Sequence, residues 1–168
     1  GEDWDKLVRW TVDQGWGGME NLVMIPGTVG GAVVQNIAAY GHNLEDVFVR
    51  LKGINLNTGA VEERDKKECQ FEYRSSIFRR GEKKDFLITE VVLELFPHPD
   101  DFALDYHERK GRYGSLQSEL DSFAEPPYTV KKVMEAVIRQ RTKRLPSIEQ
   151  WGSCGSFFTN PVIKVKKY

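Results

Sequence analysis

The chain has 168 residues, of which 40% are hydrophobic and 29% are charged, and its formal net charge is −1. This length and composition are typical of one soluble globular domain, or of one domain followed by the start of another. The balanced charge gives no global field to attract nucleic acid or an acidic membrane, and no apolar run is long enough to span a membrane. Cys69 and Cys154 form no CxxC pair, so we expect a reduced, cytoplasmic protein that binds no metal.

The N-terminal segment carries the pattern of an amphipathic helix. Apolar residues recur at helical spacing over residues 3–14, Asp3 is a candidate N-cap, and Gly15 can end the helix. The pair Gly17-Gly18 then predicts a turn.

The middle of the chain carries strand patterns. Residues 47–57 alternate between apolar and polar side chains, which places Val47, Val49 and Leu51 on one face of a predicted strand. Further predicted elements are a turn over residues 57–60, a short return strand over 61–64 and a strand over 86–96. Strands joined by hairpins favour an antiparallel sheet with helices packed on one side, so the predicted fold class is α+β.

Two further segments follow the strands. Residues 98–127 are polar and lack a clear period, which leaves open a long functional loop or short helices around a linker. Residues 129–143 have the clearest helical period in the chain, and Thr129 can cap that helix.

The first candidate site is the glycine-rich stretch of residues 25–32. Gly27, Gly30 and Gly31 allow sharp turns that aim N–H groups at an anion, and a helix that begins near Val29 adds partial positive charge. Diphosphate binding would follow from that geometry. The alternative, which the spacing alone favours, is a tight loop against a packed helix.

The second candidate is Arg74 within residues 73–79, where a guanidinium lies between an aromatic residue and two hydroxyl groups. Such a guanidinium can clamp a carboxylate or polarise a carbonyl oxygen. The alternative, favoured by the pattern alone, is a surface arginine on a turn.

The third candidate is Ser156 in the Gly- and Ser-rich stretch of residues 152–161. Phe158 stands where the G-x-S-x-G elbow of hydrolases has its second glycine, and no histidine is placed as an obvious partner. A serine that donates a proton therefore fits better than a nucleophile. Cys154 is interpreted as a small buried residue rather than as a reactive thiol.

A basic cluster lies at the end of the last predicted helix. It comprises Arg139, Arg141, Lys143 and Arg144. Two interpretations are equally open: a favourable interaction with the helix dipole, or a site for the phosphates of a nucleotide substrate.

Three segments together resemble one enzyme family. Residues 18–41 are similar to the flavin-contacting segment of the MurB reductases, residues 71–78 resemble their FxYRxSxF motif, and residues 155–161 resemble their GSFFxNP motif. The pair Tyr113-Gly114 is similar to the branch of the family with a mobile tyrosine loop over the substrate. The three motifs occur in the family's order and extend over most of the chain, which makes the resemblance specific.

The resemblance implies an FAD-binding domain of the vanillyl-alcohol-oxidase type over residues 1–146, with an insertion at 98–127. Residues 147–168 would begin a substrate-binding domain. The implied reaction reduces UDP-N-acetylglucosamine enolpyruvate to UDP-N-acetylmuramate, a precursor of the cell wall. NADPH would reduce FAD, which would pass hydride to the enolpyruvyl group.

The resemblance also implies roles for individual positions. Arg74 would stabilise the negative charge that develops on the substrate, and Ser156 would supply the proton as general acid. Arg144 stands where the family usually has lysine, and its fork can still hold a phosphate. The residues implied for FAD are Pro26, Gly27, Thr28, Val29, Gly30, Gly31, Ala32, Asn36, Ile37, Ala39, Tyr40 and Gly41. The residues implied for the substrate are Tyr73, Arg74, Tyr113, Arg144, Ser156 and Asn160.

Parts of the family pattern are missing from this sequence. Neither the N-terminal phosphate loop of the flavin domain nor the C-terminal acidic residue of the catalytic set is present, so we expect the isolated chain to fold through residue 145 without turning over. We expect neither a nucleic acid nor a membrane as a partner. Two rival functions are open: another FAD-dependent oxidoreductase of the same fold, and a non-catalytic module that binds a nucleotide sugar.

Overall fold

The computed structural model describes residues 1–97, 99, 101–104, 115–146 and 150–151. The helices are α1 (Trp4–Asp13), α2 (Val29–Gln35), α3 (Leu44–Val47), α4 (Lys66–Cys69), α5 (Leu116–Asp121) and α6 (Val130–Arg144), with a 3-10 turn at Glu20–Leu22. The strands are β1 (Trp16–Gly17), β2 (Ala38–Ala39), β3 (His42–Asn43), β4 (Phe48–Asn55), β5 (Val61–Asp65), β6 (Phe86–Leu93) and β7 (Phe96–Pro97). Helices combined with small antiparallel sheets confirm the predicted α+β class. The predicted features outside the described residues are the domain boundary at 147 and the site residues Tyr113, Ser156 and Asn160.

A three-stranded antiparallel sheet in the order β5-β4-β6 forms the middle of the chain. The hairpin of β4 and β5 confirms the predicted turn and return strand, with Ile54 opposite Val61 and Arg50 opposite Asp65. β6 pairs with the other edge of β4, so the two long predicted strands lie side by side.

One prediction for β4 is wrong. Phe48 and Leu51 are buried, whereas Val49 is 37% exposed, because a register shift between Phe48 and Arg50 introduces an irregularity into the strand. Val47 belongs to α3 rather than to the strand. Val47, Val49 and Leu51 therefore do not share one face of the strand, although their alternation with polar residues predicts it.

α1 begins and ends as the sequence predicts. The Asp3 side chain accepts a hydrogen bond from the Lys6 main-chain nitrogen at 2.9 Å, and Gly15 takes a φ of 78° just past the helix. The predicted turn at residues 17–18 is partly a strand instead, because β1 pairs with β7.

The long helix α6 confirms its predicted cap and apolar face. Thr129 Oγ1 accepts a hydrogen bond from the Lys132 main-chain nitrogen at 3.3 Å, and Val133 and Val137 are fully buried. α5 packs against α6. Of the two alternatives for residues 98–127, a short helix is therefore present in the part that the structure describes.

The core lies between the inner face of the sheet and the helices. α2 packs against β6, and α6 packs against α1 and the 3-10 turn. Side chains from these elements join or line one buried apolar cluster. Along the described part of the chain, no helix combines the length and apolarity needed to cross a membrane, and no group of His, Cys, Asp and Glu side chains could hold a metal ion.

Candidate cofactor and catalytic site

The glycine-rich stretch forms an exposed loop that leads into α2. Residues 26–28 are exposed, and α2 begins at Val29, where the sequence predicts it. The Thr28 side chain caps the helix by accepting a hydrogen bond from the Gly31 nitrogen at 3.1 Å. Gly27 has a φ of 129°, which residues with a side chain rarely adopt.

The first residues of the chain hold this loop in place. The Val29 nitrogen donates to the Glu2 carbonyl at 2.9 Å, and the Trp4 nitrogen donates to the Gly27 carbonyl at 3.0 Å. Trp4 is itself buried, and its indole nitrogen donates to the Leu22 carbonyl at 3.0 Å. The loop is therefore fixed against the start of α1, while its tip stays exposed.

Met24, which leads into the loop, has left-handed geometry with a φ of 60°. Its nitrogen donates to Asp5 Oδ1 at 2.6 Å, and its carbonyl accepts from Arg141 Nη2 at 3.0 Å. A left-handed methionine is unfavourable by itself, so the charged side chains from α1 and α6 hold it in this conformation. Burial lowers the pKa of Arg141 from its usual value, and the nearby Tyr40 and Asp5 oppose that shift.

Tyr40 and Gly41 form the turn of the β2–β3 hairpin. Both have positive φ, 49° and 84°, as a two-residue type I′ turn requires. Asn21, which is 1% exposed, donates from Nδ2 to the Tyr40 carbonyl at 2.8 Å and to the Ala103 carbonyl at 3.2 Å. Its Oδ1 is buried without a hydrogen-bond partner among the described residues. Asn21 thus fixes the end of the predicted cofactor segment.

Arg74 lies on a tight turn between Glu72 and Ser75. The main-chain groups of Glu72 and Ser75 exchange hydrogen bonds at 3.0 and 3.1 Å, and Arg74 has a φ of 55°. The Arg74 guanidinium carbon lies 5.8 Å from the centre of the exposed Tyr73 ring. Arg74 therefore lies on a surface turn, which is the alternative that the sequence pattern alone favours. This turn also contacts α2.

Two buried side chains attach the Arg74 turn to α2. Asn36, the residue after α2, donates from Nδ2 to the Glu72 carbonyl at 3.1 Å. Ser76 Oγ donates to the Val34 carbonyl at 2.7 Å. The turn that carries Arg74 is thereby bonded to residues 34 and 36, within the predicted cofactor segment.

Two residues of the basic cluster of α6, Arg139 and Lys143, form ion pairs. Arg139 Nη2 lies 2.7 Å from Glu135 Oε1, and its guanidinium carbon lies 3.8 Å from the centre of the Phe123 ring. Lys143 pairs with the buried carboxylate of Glu119 on α5. These two cations stabilise α6 and its contact with α5.

The other half of the cluster contacts the predicted cofactor segment. Besides the bond from Arg141 to Met24, the Arg144 guanidinium carbon lies 5.9 Å from the centre of the Tyr40 ring. Arg141 is already bonded to the main chain. The family resemblance assigns the phosphate-holding role to Arg144, and that role stays a prediction.

The shape and charge of the segment fit an extended anionic cofactor such as FAD. No Asp, Glu, Lys or Arg occurs from Asn21 through Asn43. A Cβ atom built on Gly27 would meet no atom within 4 Å, so space is open beside the loop. A diphosphate can therefore approach the main chain without meeting a carboxylate from this segment.

Sequence reasoning missed the contacts that hold this site together, although Ser76 and Arg141 lie in segments that it singled out. Asp5, Asn21, Ser76 and Arg141 each bond to a main-chain group of the loop, of α2 or of the β2–β3 hairpin. The one sequence signal for these contacts was Asn21, a polar residue next to an apolar run. A polar side chain that is buried almost always forms hydrogen bonds, so its position predicts a structural contact.

Comparison with known proteins points to one kind of enzyme. The FAD binding domain family matches residues 1–64. The chain is 42% identical to the UDP-N-acetylenolpyruvoylglucosamine reductase of Paraburkholderia xenovorans (strain LB400) over 165 residues, covering 97% of this chain and 45% of that protein. It is 40% identical to the protein of the same name from Flavobacterium johnsoniae, covering 97% of this chain and 46% of that protein.

A solved structure shares the fold. The crystal structure of UDP-N-acetylenolpyruvylglucosamine reductase (MurB) from Thermus caldophilus matches with a TM-score of 0.59 and 23% identity, over 86% of this chain and 42% of that chain. With the FAD binding domain match, it confirms the predicted fold. The chain spans about half the length of the curated relatives it matches. The predicted resemblance to the reductase family is confirmed, and its tyrosine-loop branch stays a prediction.

Proposed function

We propose that this chain is the central part of a UDP-N-acetylenolpyruvoylglucosamine reductase, which reduces UDP-N-acetylglucosamine enolpyruvate to UDP-N-acetylmuramate in peptidoglycan precursor synthesis. The observation that carries the proposal is the attachment of the Arg74 turn to the end of α2 by Asn36 and Ser76. This attachment supports a catalytic role for Arg74 next to a cofactor held by residues 26–41. Relatives of that name, similar over 97% of this chain, support the same reaction.

FAD and NADPH are the proposed cofactors. When bound, FAD supplies to the enolpyruvyl double bond the hydride that it receives from NADPH. The main chain of residues 26–32 would hold the diphosphate, because N–H groups at the start of a helix favour an anion. Residues 36–41 would contact the ring system, and Asn21 keeps the turn of this stretch in one conformation. The use of NADPH and a UDP-sugar is consistent with the cytoplasm as the place of the reaction.

Arg74 is the proposed electrostatic catalyst. Its side chain is partly exposed beside the Tyr73 ring, so it can receive the carboxylate of a substrate that enters from solvent. Negative charge that develops as the double bond accepts hydride would be stabilised by this fixed cation. The internally bonded turn, in which Arg74 has left-handed geometry, fixes the direction in which the Arg74 side chain leaves the main chain.

The remaining roles concern proton transfer and substrate binding. Ser156 is the proposed proton donor, since a hydroxyl between a glycine and two aromatic residues can deliver a proton to carbon. Arg144, which lies near the Tyr40 ring, would hold a phosphate of the nucleotide through its fork. The further residues proposed to hold the substrate are Tyr73, Tyr113 and Asn160.

Rapid-mixing kinetics on the complete protein tests the proposal. Arg74→Gln should leave flavin reduction by NADPH within about twofold of wild type. It should slow flavin reoxidation by the enolpyruvyl substrate at least about 100-fold, because one preorganised electrostatic group contributes about this much to a rate. Arg79→Gln changes a nearby exposed arginine and is the matched control, which should keep the wild-type rates.

Three results would contradict the proposal. A protein that NADPH reduces, but that the enolpyruvyl substrate does not reoxidise, would be another FAD-dependent oxidoreductase. UDP-sugar binding without any dependence on flavin would indicate a non-catalytic binding module. Equal reoxidation rates for Arg74→Gln and Arg79→Gln would remove Arg74 from the chemistry.

A further inference from the structure

We propose that Asn36 and Ser76 are positioning residues that orient Arg74 toward the cofactor segment. Together they form the Asn36–Ser76 clasp, a pair of side-chain hydrogen bonds that joins α2 to the Arg74 turn. The inference deepens the proposed function and rests on the role that it gives to Arg74.

Asn36 is the buried C-cap residue of α2. It is 2% exposed and has left-handed geometry, with a φ of 45°. Its Nδ2 donates to the Glu72 carbonyl at 3.1 Å, and its Oδ1 accepts from the Glu45 nitrogen at 3.2 Å. Both polar atoms of the side chain thus bond inside the protein, one of them to the turn that carries Arg74.

Ser76 supplies the second bond from the other side of the turn. It is fully buried, and its Oγ donates to the Val34 carbonyl at 2.7 Å. The two bonds run in opposite directions, because Asn36 donates to the turn and Ser76 donates to α2. Bonds at two separate points fix the orientation of the turn as well as its distance, whereas a single bond would let it pivot.

The other described contacts of the turn hold it to itself, to α4 or to Arg80 rather than to α2. The bonds between Glu72 and Ser75 close the turn, and the Ile77 nitrogen bonds to the Cys69 carbonyl at 3.2 Å. Arg74 has left-handed geometry, which persists only where the surroundings fix it. Loss of the clasp would therefore let the turn relax and move the guanidinium away from the cofactor segment.

Variants of the complete protein test the clasp. Asn36→Gly removes the side chain but keeps left-handed geometry accessible, and Ser76→Ala removes only the hydroxyl. Each should lower kcat for enolpyruvyl reduction about 10- to 100-fold, since a small misplacement of a catalytic group costs about this much. In Ser76→Ala, whose side chain is outside the predicted cofactor contacts, FAD affinity and flavin reduction by NADPH should stay within about twofold. Ser75→Ala, next to Arg74 but outside the clasp, is the control and should keep the wild-type kcat.

Asn36→Asp separates the two bonds of this side chain. It keeps the acceptor for the Glu45 nitrogen but replaces the donor to the Glu72 carbonyl by an acceptor. If the bond to Glu72 is what orients the turn, Asn36→Asp should lower kcat as much as Asn36→Gly does. A wild-type kcat for Asn36→Asp would overturn the proposal.

Amide hydrogen exchange measures the clasp without any turnover. The Ser75 nitrogen donates to the Glu72 carbonyl, so its exchange should become at least about 10-fold faster in Asn36→Gly and Ser76→Ala. Unchanged exchange in both variants would overturn the clasp whatever the kinetics. Faster exchange with unchanged kcat would overturn the positioning role.

Two further results separate this inference from the proposed function. A loss of FAD affinity in Ser76→Ala at unchanged kcat would show that the clasp serves cofactor binding instead, and would overturn the positioning role. If Arg74→Gln itself keeps the wild-type rate, the proposed function of Arg74 fails independently, and the exchange experiment still decides whether the clasp holds the turn.

Discussion

Two partly exposed regions of the molecule are stabilised in different ways. In residues 24–41, main-chain groups are bonded by side chains from distant elements, such as Arg141, which lies 117 residues from Met24. On the outer face of the β5-β4-β6 sheet, exposed side chains pair across neighbouring strands, such as Lys52 with Glu90 at 3.1 Å. The first kind of contact fixes the conformation of the main chain. The second kind joins exposed side chains on the surface of a regular sheet.

The difference shows how a candidate site can be told from ordinary surface. Within residues 24–41, three residues other than glycine have left-handed geometry: Met24, Asn36 and Tyr40. No residue of β4, β5 or β6 has a positive φ. Unfavourable main-chain geometry persists only where buried partners maintain it, and such geometry is concentrated at functional sites. Exposure combined with maintained strain is therefore a better marker of the site than exposure alone.

The largest expected effect comes from Asn21. Asn21→Ala removes the donor to the carbonyls of Tyr40 and Ala103. We expect the free energy of unfolding to fall by about 2–4 kcal/mol, since each buried carbonyl left without a partner costs about 1–3 kcal/mol. Urea unfolding followed by tryptophan fluorescence measures the change.

Asn57→Ala is the matched control for Asn21→Ala. Asn57 is exposed, and its Nδ2 donates to Asp85 Oδ2 at 3.2 Å. Water replaces that bond, so the free energy of unfolding should change by less than about 0.5 kcal/mol. An equal loss for the two variants would contradict the comparison of the two regions.

An intermediate effect is expected at alkaline pH. Burial raises the pKa of the Cys69 thiol from 9.0 to about 12, so the folded protein keeps a proton that the unfolded chain releases. The stabilisation is complete below pH 9 and is lost as the pH rises toward 12. The slope reaches at most about 1.4 kcal/mol per pH unit.

A comparison of variants isolates this slope. In a Cys154→Ser background, urea unfolding from about pH 7 to about pH 10 should show a steeper loss of stability with Cys69 than with Cys69→Ala. Other alkaline groups titrate equally in the two proteins, so the difference reports the thiol. Parallel curves would mean that Cys69 is not kept protonated by burial.

The smallest effect is expected on the outer face of the sheet. The Lys52 and Glu90 side chains are 40% and 50% exposed. A double-mutant cycle with Lys52→Met and Glu90→Gln should give a coupling energy of about 0.2–1 kcal/mol, which falls in about 1 M salt. A larger coupling that resists salt would show that this face is screened from water, which would weaken the contrast with residues 24–41.

The elements whose signals are local could be predicted from the sequence. The caps Asp3 and Thr129, the helix start at Val29 and the β4–β5 hairpin all depend on residues a few positions apart. A short segment therefore contains the whole signal. The motifs likewise predict which stretches form the candidate site.

The contacts that assemble the site could not be predicted in this way. Asn36 lies 36 residues from Glu72 and Ser76 lies 42 residues from Val34, so no local period encodes either bond. The register shift at Val49 could not be predicted either. The alternation of apolar and polar residues does not show where the pairing of two strands changes register.

The bond between Arg141 and Met24 also sets an order of events during protein synthesis. Met24 leaves the ribosome long before α6 exists, yet its conformation is completed by a residue of that helix. Domains fold from their N-terminal parts only as far as partners have emerged, and contacts between distant residues form slowly. The segment that leads into the glycine-rich loop therefore reaches its final conformation only after α6 has emerged and docked on α1.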